Sequence, residues 1–313
     1  MNVNPPAAPS TLGTEPHGGG EGDRPRNLRR GVFLPALLVL LGVAVMLYPV
    51  ISTQWNNRSQ ERVAERYESM IVEQHDDPSW LLDKVAAARN YNETASKGPI
   101  LDPWLMRISD DNVDYQAYLA QLSELPAMSQ VVIPSVDIRL PVYHGTSDEV
   151  LNKGLGHLYG SSLPVGGSST HSVITGHTGL PHASLFDNLI DVGVGDSIYV
   201  STFGEKMKYR VYDTEVVLPD QTDSLSNKPG EDLLTLITCT PYGINTHRLL
   251  IHAERVALDP DEIDVFNEKT SFMQWWMWIV IILAIAMLAG IAWWARTQMQ
   301  GTTRRARPKH LAV

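Results

Sequence analysis

One cysteine, Cys239, stands in 313 residues, so no disulfide can close within the chain. An unpaired cysteine in an exported domain is either reactive or bonded between chains, whereas in the cytosol it needs no special reason. Positive charge is scarce: 25 Lys and Arg against 35 Asp and Glu leave a net charge of −10. That balance argues against nucleic acid as a partner. Metal-ligand spacing is missing too. No histidine pair has the H-E-x-x-H interval, and Cys239 has no second cysteine with which to share an ion. No metal or other cofactor is therefore expected. No internal repeat divides the chain. Charged residues make up only 19% and hydrophobic ones 43%, which suits a folded domain attached to membrane segments.

Residues 1–30 are rich in Pro and Gly and end in the basic cluster Arg24, Arg26, Arg29 and Arg30. They hold little apolar surface to bury, so disorder is expected. Residues 32–51 are apolar and uncharged for about 20 positions, enough to cross a bilayer. A cleaved signal peptide has a shorter apolar core and a small-residue cleavage site. Tyr48-Pro49-Val50-Ile51 offers no such site, so an uncleaved anchor is expected. A second apolar run covers residues 275–295, with Trp275, Trp276 and Trp278 at one end and Trp293 and Trp294 at the other, like the aromatic belts of a membrane span. Arg296, Arg304, Arg305, Arg307 and Lys309 follow, with no acidic residue among them. Both basic flanks lie outside the loop between the spans. The positive-inside rule then puts both termini in the cytoplasm and residues 53–272 outside the cell membrane.

The intervening region starts helical. Residues 54–90 place Val63, Tyr67, Met70, Ile71, Trp80, Leu81 and Val85 at helical spacing, as a membrane-proximal helical pair. Gly98-Pro99-Ile100-Leu101-Asp102-Pro103-Trp104 reads as a loop that packs onto something. Residues 112–122 form a short helix with Asn112 as N-cap. From residue 131 the pattern turns to β. Strand-like runs at 131–133, 136–140, 172–175, 197–201, 206–217, 233–238 and 248–256 suggest a closed or nearly closed antiparallel barrel.

Cys239 sits where one such strand ends, in Thr235-Leu236-Ile237-Thr238-Cys239-Thr240-Pro241-Tyr242-Gly243. Pro241 and Gly243 make a turn, and the next strand carries Arg248, so thiol and guanidinium face each other across the mouth of a hairpin. A nearby cation favours thiolate, the form that attacks carbonyls. A small buried apolar cysteine is the other reading of these residues. Among the ten histidines, His177 has a comparable setting: it follows the strand 172–175 between Gly176 and Gly179. There it suits acid–base work beside a nucleophile. His157, His171, His182 and His247 lie equally near Gly, Pro or strand ends.

His177 in Thr-Gly-His, then Cys239 in Thr-Leu-Ile-Thr-Cys, then Arg248 nine residues on, is an order that resembles the sortases. So do Gly156-His157-Leu158 and the stretch Ser162-Leu163-Pro164-Val165-Gly166-Gly167. The form Thr240-Pro241-Tyr242-Gly243-Ile244-Asn245-Thr246-His247-Arg248 and the two apolar spans resemble the pilus-building class C in particular, and Asp102-Pro103-Trp104 matches that class's lid motif. The resemblance covers roughly residues 90–260. It implies a mainly β fold: a sortase-type closed eight-stranded β-barrel with peripheral helices, flanked by two transmembrane helices. It also implies a transpeptidase that takes Leu-Pro-x-Thr-Gly (LPXTG) signals on pilins and surface proteins, with Cys239 attacking the Thr carbonyl. His177 would serve the departing and incoming amines, and Arg248 the substrate backbone or oxyanion. In class C the incoming amine is a pilin lysine. Asp102 pairing with Arg248, and Trp104 over the sulfur, would close the lid with Pro103 between them. Alternatives are a housekeeping-type sortase using a peptidoglycan-precursor amine, a membrane-tethered binding scaffold, and a cysteine protease resolved by water.

The expected organisation is a disordered cytoplasmic tail (1–30), a transmembrane helix (31–52), a membrane-proximal helical segment (53–90) and a lid with connecting helix (91–125). The catalytic barrel (126–260) follows, then a linker (261–273), a second transmembrane helix (274–295) and a basic cytoplasmic tail (296–313).

Overall fold

The computed structural model describes residues 26–73, 78–95, 100–105, 108–109, 111–268 and 273–305, with side chains from residue 32. The expected disorder of residues 1–30 and the end of the basic tail lie outside the described residues, except that residues 26–30 begin the first helix. One compact unit takes in Val45–Ala284, and the helical stretches before and after it form a second.

Helix α1 (Arg26–Glu73) runs without a break, joining the expected span and the first membrane-proximal segment in one element. Its early apolar residues, Phe33, Leu34, Leu37, Leu38 and Leu41, are exposed. From Thr53 the pattern changes. Thr53, Asn57, Gln60, Ala64, Tyr67 and Ile71 are buried, a stripe with the three-and-four spacing of one helix face. Tyr67 accepts a 2.7 Å bond from the Phe203 backbone N–H, and Asn57 Nδ2 donates to Ser184 Oγ at 3.3 Å. Helix α2 (Pro78–Thr94) buries Leu81, Val85 and Ala88 on one face. Its Asn92 clasps Leu163 by both backbone groups. Helix α3 (Val113–Leu119) starts at Asn112, whose side chain accepts from the Tyr115 N–H, the usual satisfaction of an orphan helix donor. A last helix, α5, spans Trp275–Arg305; a one-and-a-half-turn helix α4 (Asp148–Lys153) lies between. Residues 32–73 and 275–298 are both long and apolar enough to cross a membrane.

Eight strands close a barrel: β1 (Ser129–Ile133), β2 (Ile138–His144), β3 (Leu155–His157), β4 (Thr170–Thr175), β5 (Ser197–Thr202), β6 (Glu205–Val217), β7 (Asp232–Thr240) and β8 (His247–Val256). Their order around the barrel is β1-β2-β3-β4-β7-β8-β6-β5. The barrel is not wholly antiparallel, as alternation alone suggested. β2 pairs with β3, and β4 with β7, in parallel. Parallel neighbours require a crossover connection. Residues 176–231, which hold β5 and β6, supply it between β4 and β7. The short β3 is the strand that composition did not mark, being three residues with a glycine at its centre.

Two apolar layers share the central strands. Leu234, Leu236, Leu249 and Ile251 belong to one cluster with Ile174, Phe186 and Val200. Ile237 and Leu250 belong to a second with Tyr67, Leu81, Val85 and Tyr118 from the helices. The strand's two-residue period sends successive side chains to opposite faces. Helices cover the outer face, so β7 reads as a continuous apolar run. Leu236→Ala, at a fully buried position, should lower unfolding free energy by about 3 kcal/mol in a denaturant titration. Val194→Ala, at an exposed one, should change it by less than about 0.5 kcal/mol.

Candidate active site

Three strand ends meet at one rim of the barrel. β4 and β7 run parallel with Thr175 level with Ile237. Two residues further along each chain stand His177 and Cys239, which this register would bring side by side at the neighbouring-strand spacing of about 5 Å. Local bonds hold the two ends together. The Gly176 N–H donates to the Ile237 carbonyl at 3.1 Å, Thr175 Oγ1 to the same carbonyl at 3.1 Å, and Thr238 Oγ1 to the Gly176 carbonyl at 2.8 Å. A side chain at Gly176 would come within 2.6 Å of Leu155 and 2.8 Å of Phe186, so only glycine lets the chain pass. β8 returns antiparallel from the turn, and Arg248 pairs directly with Cys239. Sequence order thus becomes spatial proximity: strand pairing gathers His177, Cys239 and Arg248 at one barrel rim.

The Asp102–Leu105 segment packs onto this rim. Asp102 meets Arg248 in a two-pronged pair, Nε to Oδ2 at 2.6 Å and Nη2 to Oδ1 at 3.2 Å, with both side chains buried. The same carboxylate accepts the backbone N–H groups of Trp104 and Leu105, each at 3.1 Å. It therefore shapes its own turn while it neutralises the guanidinium. Pro103 is held through its carbonyl by Thr146 Oγ1 at 2.8 Å. The Trp104 ring lies 4.6 Å from the centre of the Arg248 guanidinium, and its indole N–H donates to His177 Nδ1 at 3.2 Å. An indole nitrogen is a donor only. His177 Nδ1 is thus an acceptor, and the ring is the neutral tautomer protonated on Nε2. Burial, the largest influence, also lowers the His177 pKa; Asp148 opposes it and His182 adds to it.

The sequence leaves open whether Cys239 and His177 form an ion pair or a neutral thiol and imidazole. Burial pushes its pKa up to about 11; Arg248 pulls it down, and Asp102 pushes it up again. The cation expected to activate the thiol is present, but a carboxylate neutralises it. Thiol and imidazole are both uncharged in this arrangement.

Two cavities flank the site. One, between Asp102 and Pro103 and the 217–225 loop, is reduced to about 10 Å³, the space of a single water. The other, about 60 Å³, is lined by Cys239, Thr240, Tyr242 and Asp187. Asp187 was not marked from sequence. Its Oδ1 accepts from the Gly179 N–H at 2.7 Å and from Thr178 Oγ1 at 3.1 Å. The signal available was its distance of ten residues from His177 within one Gly- and Pro-containing loop. Of the other histidines near strand ends, His157 and His171 are buried and bonded within the barrel. Among the described residues no group of acidic, histidine and cysteine side chains is arranged to hold a metal ion.

Residues 131–256 match a family model described as the sortase domain. A sortase A of Streptococcus agalactiae is 29% identical over 133 residues, 42% of this chain and 53% of that protein. The chain thus spans about half the length of the curated relative it matches. Solved structures match more fully. Sortase C-1 of Actinomyces oris is 53% identical, with a TM-score of 0.56, over 57% of this chain and 99% of that one. Sortase A of Corynebacterium diphtheriae is 47% identical, with a TM-score of 0.58, over 66% and 97%. A sortase C of Streptococcus pneumoniae, whose structure is described as informing pilin substrate specificity, is 35% identical, with a TM-score of 0.57, over 63% and 97%. With its closed eight-stranded barrel and its class C structural neighbours, the chain belongs to the sortase family of cysteine transpeptidases.

Proposed function

We propose that this sortase joins pilin subunits: it cuts an LPXTG-type signal between Thr and Gly and passes the Thr carbonyl to a lysine amine of another pilin. The observation that carries the reading is Asp102 seated on Arg248 beside Cys239, with Trp104 on His177. The Asp102–Arg248 pair is the one the lid motif implies, while Trp104, expected over the Cys239 sulfur, is bonded to His177 and lies on Arg248. A C. diphtheriae sortase A structure 48% identical to this chain is itself of a lid mutant. With residues 31–52 and 274–295 in the membrane and basic tails in the cytoplasm, the barrel of residues 126–260 faces the membrane-attached pilins outside the cell.

The chemistry follows from the closed arrangement. Substrate displaces the 102–104 turn, so Arg248 exchanges a carboxylate for substrate carbonyls, and its charge is then available to the developing oxyanion. Asp102 no longer opposes the effect of Arg248 on the thiol. His177, released from the indole, takes the Cys239 proton as sulfur attacks the Thr carbonyl. It hands that proton to the departing glycine nitrogen, leaving a thioacyl enzyme. The incoming amine attacks the thioester and loses a proton through His177 to the Cys239 sulfur. An isopeptide bond forms and the thiol is restored.

Two outcomes are expected. With the full chain in detergent, an LPXTG peptide and a lysine-bearing pilin, mass spectrometry should find the Thr–lysine bond. Cys239→Ala should reduce product by about a thousandfold or more. Product with a peptidoglycan-precursor amine alone would instead mark a wall-anchoring enzyme. In the second test, a thiol reagent should modify wild-type Cys239 slowly, with a rate that climbs towards a midpoint near 11. Asp102→Ala or Trp104→Ala should raise the rate at about pH 8 by about tenfold or more, the equivalent of one pKa unit. Equal rates in all three proteins would remove the gating role.

A further inference from the structure

A cavity beside Cys239 shares no lining residue with the one beside Asp102 and Pro103. It is lined by Thr178, Asp187, Thr238, Cys239, Thr240 and Tyr242, among others. Asp187 and Tyr242 also line a neighbouring cavity of about 410 Å³, walled by Leu180, Pro181 and Trp276. The two cavities therefore meet at Asp187 and Tyr242, and Cys239 lines the smaller one. Among the residues lining either space, Asp187 is the only side chain that carries a formal charge at neutral pH.

We propose that Asp187 is the recognition carboxylate for the acceptor amine, and that this passage admits a primary ammonium on a slim alkyl stem, a lysine side chain, to the thioacyl carbon. The inference rests on the transpeptidase reading and adds to it the route and the recognising residue of the second substrate.

Four observations support the assignment. Both internal bonds of the carboxylate converge on Oδ1, and no other hydrogen bond to it is present among the described residues. Oδ2 is thus available to a ligand donor. Burial raises the Asp187 pKa to about 6, against the pull of the Gly179 and Thr178 bonds, so the group is mostly ionised at neutral pH and is stabilised by an arriving cation. The volumes suit a lysine: about 60 Å³ at the sulfur takes an aminomethyl end, and Leu180 and Tyr242 offer apolar surface to the stem. No residue of the 102–105 segment lines either cavity. Neither cavity shares a lining residue with the one beside Asp102 and Pro103, a separation an enzyme needs when its second substrate arrives with the first still covalently attached.

The step balances. The thioester R–C(=O)–S–Cys239 and R′–NH3⁺ give R–C(=O)–NH–R′, the Cys239 thiol and one proton released to solvent. The C–S bond breaks as the C–N bond forms. Asp187 holds the ammonium in the cavity that Cys239 lines, and neutral His177, at the strand end next to that of Cys239, accepts the proton that must leave nitrogen before attack. A carboxylate is too weak a base to remove that proton unaided, so its part is binding.

Asp187→Asn separates this role from mere support of the His177 loop. The amide oxygen can still accept from Gly179 and Thr178, while the charge is gone. The full chain in detergent would be given an LPXTG peptide and three competing acceptors: a lysine peptide, hydroxylamine (uncharged at neutral pH) and water. The variant should lose about tenfold in lysine aminolysis relative to hydroxylamine release, the value of one charge-assisted contact. Its loss should appear mainly in the acceptor KM, and Asp187→Glu should recover part of it. Equal loss with lysine and hydroxylamine would make Asp187 a structural prop and overturn the proposal, as would no loss at all. A wild-type chain that forms no acyl-enzyme with any acceptor would fail earlier, at the transpeptidase reading, and the inference would fall with it.

Discussion

The parallel pairing of β4 with β7 is the constraint on which the site depends. Two strands side by side in opposite directions would end at opposite rims of the barrel. Run in the same direction, they end together, and the next residues of each chain emerge at one place. The Thr175–Ile237 register makes those residues His177 and Cys239. The pairing requires a crossover, and the two-stranded β5–β6 excursion with its flanking loops provides it. β8 then needs only a tight turn to bring Arg248 opposite the sulfur. Side chains 62 and 71 residues apart from the first histidine are thus placed by backbone hydrogen bonding rather than by side-chain contacts alone.

Much of this was legible before any coordinates. Strand content showed in runs of β-branched residues, and the barrel's turns showed in Gly, Pro and Asn. Asn112 marked its helix start correctly because capping is a local matter between a side chain and the N–H three residues on. Strand direction was not legible, because a two-residue period is the same whichever way a neighbour runs. β3 escaped notice because three residues carry no pattern. The electrostatic state of Cys239 was not settled by the sequence, for a similar reason. Arg248 lies nine residues away and announces itself. The carboxylate that neutralises it lies at 102, 137 residues before the cysteine, and the motif resemblance rather than spacing linked them.

The Asp102–Arg248 pair governs the electrostatics of the rim. Both groups are buried, and their pairing avoids the several-kcal/mol penalty of an isolated buried ion. The same pairing leaves Cys239 without a net cation beside it, so burial dominates and the thiol stays protonated. Trp104 acts in parallel on the imidazole, binding the nitrogen that a proton would need. One short turn therefore neutralises the cation beside the Cys239 thiol and occupies a ring nitrogen of His177. Neither effect requires a change in the barrel, so a rigid scaffold and a switchable site coexist.

This arrangement limits what can open it. Moving Asp102 away from a buried guanidinium, with nothing in exchange, leaves an uncompensated charge at a cost of about 3–5 kcal/mol. Solvent fluctuation alone would then leave only about one molecule in a hundred to one in several thousand open. A ligand that supplies carbonyl oxygens to the same five N–H donors restores most of that loss. Extended peptide backbone does so, whereas an isolated amine does not. On the proposed transpeptidase reading, the donor peptide rather than the acceptor is therefore the substrate able to move the turn. Asp187, proposed above for the acceptor, lines a cavity that no residue of the 102–105 turn borders. On that reading electrostatics imposes an order: the covalent intermediate forms first, and the amine follows.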